Sequence, residues 1–256
     1  MEKLLASLSE SELFVIVFIL ALFFFIAAPL LLSIRYNNKR DERRLVLSQL
    51  RLTDKQRQEL IKDVRLLERL PHELLEELEG LIHIFNAEKI YTPKDDLTEV
   101  TPHMKRVIAA QACLLLLGRK GDYYGKLRDI HLYPDLFKVT ENGETRELAG
   151  QSLWNSQMKL AWPTVLTSGN TEDGYNLVIQ QFTYLIDRRQ GKLDGTPILN
   201  SWNDTKLWND VMQAAYDEMS DKVRDDKRIT MDTAGVSDRV KFFAYSTVIF
   251  YEKPDN

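Results

Sequence analysis

Between Leu13 and Ile34 the chain reads LFVIVFILALFFFIAAPLLLSI, 22 positions without a charge. At about 1.5 Å rise per residue such a run crosses a hydrocarbon core of roughly 30 Å, which predicts a transmembrane helix over 13–34. A charged connector, NNKRDERRLV, follows over 37–46 and predicts a helix start or a short tether. Beyond it the pattern becomes that of a folded domain. Thr53 with Gln56 three residues on makes a capping box, and Leu60, Ile61, Val64 and Leu67 recur at helical spacing up to Pro71. Leu74, Leu75, Leu78, Leu81, Ile82 and Phe85 form the stripe of the next helix. Thr101 followed by Pro102 is a cap and first-turn proline, opening a helix through MKRVIAAQACLLLLG that is apolar nearly all round and therefore central to the core. Short alternating pieces at 88–91, 129–133 and 136–140 predict strands. Lys159 to Thr167, KLAWPTVLT, alternates well enough for another, and Pro163 argues that it lies at an edge because proline cannot donate to a ladder. In Tyr175–Asp187, YNLVIQQFTYLID, Leu177, Val178, Phe182, Leu185 and Ile186 recur at helical spacing and predict an amphipathic or wholly buried helix. A glycine-punctuated loop at 191–197 and helices over 203–224 and 238–251 complete the pattern. The expected class is α+β, helix-rich with a small mixed sheet, after one N-terminal membrane helix. The expected divisions are a tail (1–12), the membrane helix (13–34), the connector (35–51) and one domain (52–256).

Charge changes that picture in two ways. A formal net charge of −4 and the lack of a basic stripe interleaved with aromatics exclude a nucleic-acid footprint. Arg35, Lys39, Arg40, Arg43 and Arg44 lie within about 15 residues of the apolar run and predict a cytoplasmic C-terminal domain at a bacterial inner membrane. A cleaved signal peptide competes, with small Ala27 and Ala28 near a cleavage position, but Glu2, Glu10 and Glu12 against one Lys3 reverse the basic start that such signals carry. The single cysteine, Cys113, sits in an apolar helical run and reads as a buried reduced thiol. Of the four histidines, His72 and His83 are eleven apart on one helix, while His103 and His131 have no fixed relation to them, which predicts structural histidines and no new ligand set.

Several segments carry a family resemblance in the same order. They are MKRVIAAQACLLLLG, DYYGKLRDIHLYPDLF, YNLVIQQFTYLIDRRQGKLDGTP and DTAGVSDRVKFFAYSTVIFYEKP. Over roughly 52–254 the chain resembles the Mlc titration factor A family of zinc metallopeptidases. The resemblance implies a gluzincin-like site: the helical motif HExxH, a downstream glutamate as third zinc ligand, and a tyrosine that stabilises the oxyanion. On that alignment Gln180 and Tyr184 replace the two histidines, Gln181 replaces the catalytic glutamate, Ala234 stands at the tyrosine position and Lys241 at the third ligand, while Asp187 is retained. Glutamine has no basic oxygen with which to take a proton from water. A neutral phenol is a poor zinc ligand, and an ammonium puts positive charge where the cation belongs. Zinc, expected for the family, is therefore expected to be absent here, with Lys241 hydrogen-bonded to Gln180 or Tyr184 in its place.

The expected function is binding without hydrolysis. The family scaffold has a cleft beneath an edge strand, where an extended chain pairs without needing metal, and Trp162, Pro163 and Val165 are the candidate peptide-binding edge. The resemblance implies a cytoplasmic regulator as partner, since family members bind a transcriptional repressor; a neighbouring membrane protein is the other candidate. An active aminopeptidase with unusual ligands is the alternative. A structural subunit of a larger membrane complex is a third, poorly supported by a helix with no GxxxG and only alanines and Ser33 as small contacts. The chain ends close behind its last aromatic helix, where the family continues, and apolar surface around Phe250 and Tyr251 is expected.

Overall fold

The computed structural model describes residues 9–119, 123–141, 143–153, 156–199 and 201–254. Glu2 and Lys3 fall outside them. The chain divides into two compact units, Met1–Gln49 and Leu50–Asn256. Among its described residues the first is one uninterrupted helix, α1 (Glu10–Ser48), capped by Ser9, which accepts from the Glu12 amide while Glu12 reaches back to the Ser9 amide. It holds the apolar run, long enough to cross a membrane, and it continues as helix through the charged connector.

The second unit is helix-rich α+β. Its helices are α2 (Asp54–Asp63), α3 (His72–Glu88), α4 (Pro102–Leu114), α5 (Trp162–Asn170), α6 (Leu177–Asp187), α7 (Trp202–Arg224) and α8 (Arg239–Glu252). Its strands are β1 (Ile90–Pro93), β2 (Asp129–Tyr133), β3 (Phe137–Glu141), β4 (Glu144–Leu148), β5 (Gly150–Ser152) and β6 (Gln157–Ala161). The main sheet runs β1-β2-β6-β5; the first three strands are parallel and β5 is the antiparallel edge. Strands β3 and β4 form a separate hairpin, tied by the Thr140–Thr145 hydroxyl pair at 2.9 Å.

The expected caps form. Thr53 and Gln56 exchange bonds of 3.3 and 3.0 Å, and Thr101 caps Met104 at 3.2 Å with Pro102 in the first turn. The helix begun at Asp54 ends sooner than its apolar spacing suggested. Val64, wholly buried, leaves helical geometry, and a 3₁₀ turn (Arg65–Arg69) carries the chain to Pro71. Helix α4 is the centre of the core, buried at every position from Val107 to Leu114, with α2, α3, α5 and α6 packed around it. Phe85, Tyr124 and Phe182 meet beside it at centroid distances of 4.8 to 6.2 Å, and the Tyr124 hydroxyl donates to the Ala112 carbonyl at 2.8 Å. Lys89, buried, donates its ammonium to the carbonyls of Tyr123, Tyr124 and Leu127 at 3.1, 2.8 and 2.9 Å, binding the end of α3 to the segment that enters β2.

The edge strand expected at Trp162, Pro163 and Val165 is not a strand. β6 ends at Ala161, and Trp162–Asn170 is α5 with Pro163 in its first turn. A first-turn amide has no partner inside the helix, so proline's missing N–H costs nothing there and its fixed φ suits the start. β6 itself is interior, between β2 and β5, and Val165 is buried.

Candidate functional site

Helix α6 is the site's backbone, and three side-chain arrangements fix it. Asn176 caps it, accepting from the Ile179 amide at 2.9 Å and donating to the Ser168 carbonyl at 3.3 Å, while Ser168 Oγ accepts from the Leu177 amide at 3.2 Å. The last turn of α5 and the first of α6 thus cap one another. At the far end Asp187, buried, accepts from the amides of Gly195 and Thr196 at 2.9 and 3.0 Å, pinning the loop after the helix. Burial pushes its carboxyl up and those two N–H groups oppose the push. Gly195 sits at φ +79°, where a Cβ would lie 2.7 Å from the Arg239 carbonyl oxygen, so the turn brings the loop hard against the start of α8.

Three elements then line an open cleft of about 450 Å³. One wall is β5, with Gly150, Gln151 and Ser152; the second is the outer turn of α6, with Gln181, Tyr184 and, just beyond it, Arg188; the third is the start of α8, with Asp238 and Lys241. β5 lies on α6 so closely that a Cβ at Gly150 would stand 2.6 Å from Leu177 Cδ1 and 3.1 Å from Gln181 Cγ. Arg188 links two walls by donating to the Ser152 carbonyl at 3.3 Å.

The structure brings Gln181, Tyr184 and Lys241 to this one cleft. Gln180, buried on the same helix, lies outside the lining, and Ala234 is exposed in a 3₁₀ turn (Thr233–Val236), its amide donating to Asp232 at 2.7 Å. Lys241 does not reach Gln180 or Tyr184. Its Nζ donates to Ser237 Oγ at 3.0 Å and stands 3.8 Å from Asp238 Oδ2, with the side chain about half exposed at the rim. The reason is local: Asp238 caps α8 by accepting from the Lys241 amide at 2.8 Å, so a carboxylate and water wait one turn back, a better setting for an ammonium than neutral amides inside. Among the described residues, no hydrogen bond joins the side chains of Gln180, Gln181 or Tyr184 to a protein partner. Burial, then Tyr245 and the Asp238 carboxylate, push the Tyr184 phenol up, so it stays neutral.

Zinc prefers thiolate, imidazole and carboxylate donors. The cleft instead presents carboxamides, a phenol, two cations and one carboxylate already engaged by Lys241. Among the described residues no three His, Cys, Asp or Glu side chains gather to hold an ion. These residues do not fit a zinc centre.

Sequence reasoning missed β5, Arg188 and Asp238. A three-residue strand gives no periodicity. The acidic cap three residues before Lys241 was a readable signal for a local ion pair.

Residues 36–256 match the sequence profile of the family described as glucose-regulated metallo-peptidase M90. An uncharacterized protein of Synechocystis sp., slr2042, is 30% identical over 190 residues, covering 70% of this chain and 68% of that protein. Mlc titration factor A of Yersinia pestis is 24% identical over 168 residues, 61% of this chain and 62% of its own length. With the profile spanning all of the folded unit, the chain belongs to the M90 metallopeptidase family, that of Mlc titration factor A.

Proposed function

We propose that this chain is a membrane-anchored M90 member that holds a polypeptide in its cleft without hydrolysing it. The observation that carries the reading is the cleft's chemistry: Gln181 and Tyr184 line it from α6, and Lys241 at its rim is paired to Asp238. The resemblance implies that these are the positions of the family's base and two of its zinc ligands. A carboxamide accepts no proton from water near neutral pH, so no general base stands at that position. What the cleft keeps is suited to recognition. β5 is a sheet edge, and backbone pairing with an added strand needs no metal. Gln181 offers an amide donor and acceptor, and Tyr184 a neutral hydroxyl, which match the polar groups of a peptide bond. The apolar run of α1 serves as the anchor, with the basic residues after it on the cytoplasmic side of a bacterial inner membrane. A protein partner, either a cytoplasmic regulator or a neighbouring membrane protein, fits this reading.

The competing reading, an active zinc peptidase with unusual ligands, is favoured by family membership. Elemental analysis of the detergent-solubilised full chain and turnover of a quenched fluorescent peptide library decide between them. The proposal expects zinc no higher than the background of the buffer, since the cleft lacks good donors, and no chelator-sensitive cleavage. One equivalent of metal with chelator-sensitive turnover overturns it.

A further inference from the structure

The basic residues after the apolar run are not equivalent. Arg40 and Arg44 both face Asp41, at 3.4 and 3.7 Å. Arg35, Lys39 and Arg43 are exposed and, among the described residues, make no ion pair or hydrogen bond. They are spaced by four, so on a continuous helix they share one face as a stripe about 12 Å long that starts at the last turn of the apolar run. Tyr36, 69% exposed, stands beside the first of them, the position at which aromatic rings mark the edge of a bilayer. No helix break separates the apolar stretch from this stripe, so the two are fixed in register.

We propose that Arg35, Lys39 and Arg43 form a binding face for anionic lipid headgroups. The inference rests on the reading that α1 spans a membrane. The polar layer beyond the hydrocarbon is roughly 5–8 Å deep, which places Arg35 and Lys39 among the phosphates. Arg43 follows within a Debye length of about 8 Å, near enough to feel the surface charge. Arginine takes a phosphate through two parallel N–H bonds and lysine as a point charge, and both meet the same headgroup oxygens. The pairing of Arg40 and Arg44 with Asp41 leaves them less to offer. Each free cation contributes a factor of about five in preference for anionic over zwitterionic lipid at its own position.

The test uses the full chain reconstituted in nanodiscs, where sidedness plays no part, with spin-labelled phosphatidylglycerol or phosphatidylcholine as the probe. The motionally restricted fraction reports lipid held at the protein. The expected result is a several-fold excess of restricted phosphatidylglycerol at low salt, falling toward parity at high salt and in R35Q/K39Q/R43Q. The charge-conserving R35K/R43K is expected to keep the excess, and R40Q/R44Q to lose less than the triple variant. Equal restriction of the two lipids, or an excess unchanged in R35Q/K39Q/R43Q, overturns the proposal. A chain that fails to enter nanodiscs overturns the membrane reading beneath it, a separate outcome seen on co-elution before any spectrum is recorded.

Discussion

Glu252, at the end of α8, gives a sharp test of how the two helices that wall the cleft are held together. It is 2% exposed; one carboxyl oxygen accepts from the Gly174 amide at 2.8 Å, and the other is buried with no hydrogen bond among the described residues. The loop it grips enters α6 at Asn176, and the surroundings are crowded with charge. Glu172 and Asp173 lie on the loop, Arg69 bonds both Glu172 and the Glu252 carbonyl, Arg65 faces Glu172, and Lys253 donates to the Asp173 carbonyl. Burial first, with Asp173 and Glu172 adding repulsion against the Gly174 bond, pushes the Glu252 carboxyl from an ordinary 4.5 up to about 7. The sign follows from proton binding. Between those two values the folded chain holds a proton that the unfolded chain has lost, so stability is present at low pH and is lost as pH rises through 7. At 1.36 kcal/mol per unit the span corresponds to about 3 kcal/mol, and allowing for relaxation around the charge leaves about 2–3 kcal/mol. Glu252→Gln keeps an acceptor for Gly174 and removes the charge. The variant should match the wild type near pH 4.5 and exceed it at pH 8 by about 4–12 °C in Tm, followed by near-UV circular dichroism in detergent. A variant no more stable than the wild type at pH 8 would show that Glu252 is ionised at little cost, and the argument would fail.

The remaining expectations are simpler. Arg57→Ala leaves Glu79, wholly buried and bonded to Arg57 Nη2 at 3.1 Å and the Leu52 amide at 3.2 Å, without its cation; the cost should be about 3 kcal/mol, read by chemical denaturation, and a loss under about 1 kcal/mol would mean that water compensates. Gly150→Val should push β5 off Leu177 and Gln181 and lower stability by about 1–3 kcal/mol, with hydrogen exchange rising at β5 and β6 first; an unperturbed exchange pattern would refute the close packing. Cys113, fully buried and with its thiol pushed up by burial, should react with a thiol reagent only as fast as the chain unfolds, so fast labelling of the native protein would contradict the core described. The quadruple variant Q180H/Q181E/Y184H/K241E should take up about one equivalent of zinc by calorimetry if the helix retains the family's geometry, and no uptake would place the fault in the scaffold beyond those four side chains.

How much of this was legible beforehand depended on the range over which each signal acts. The caps at Thr53 and Thr101 are contacts between residues three apart, and local sequence specified them fully. The burial of α4 followed from an apolar run with no polar face. Trp162–Asn170 was misread because KLAWPTVLT suits either state in isolation. The decision came from packing on α2, α4 and α6, and from Pro163 falling where a helix tolerates it. The cleft was half readable. The family resemblance picked out Gln181, Tyr184 and Lys241, but Lys241's direction was set by Asp238 and Ser237 competing for its ammonium, and the edge strand by the fit of Gly150 against Leu177. Phe250 is exposed as expected, whereas Tyr251 is partly buried and donates to the Leu114 carbonyl at 3.0 Å.

The three carbonyls that converge on Lys89 resemble the oxygen shell of a bound monovalent ion, with the ammonium supplied by the chain itself. A brace of that kind cannot be washed out, exchanged or starved. Treatment with a strong sequestering agent, which unravels hydrolases stapled by a mineral ion, should therefore leave the approach to β2 ordered. Replacement by arginine should not serve, because a flat fork cannot satisfy three oxygens arriving from different directions.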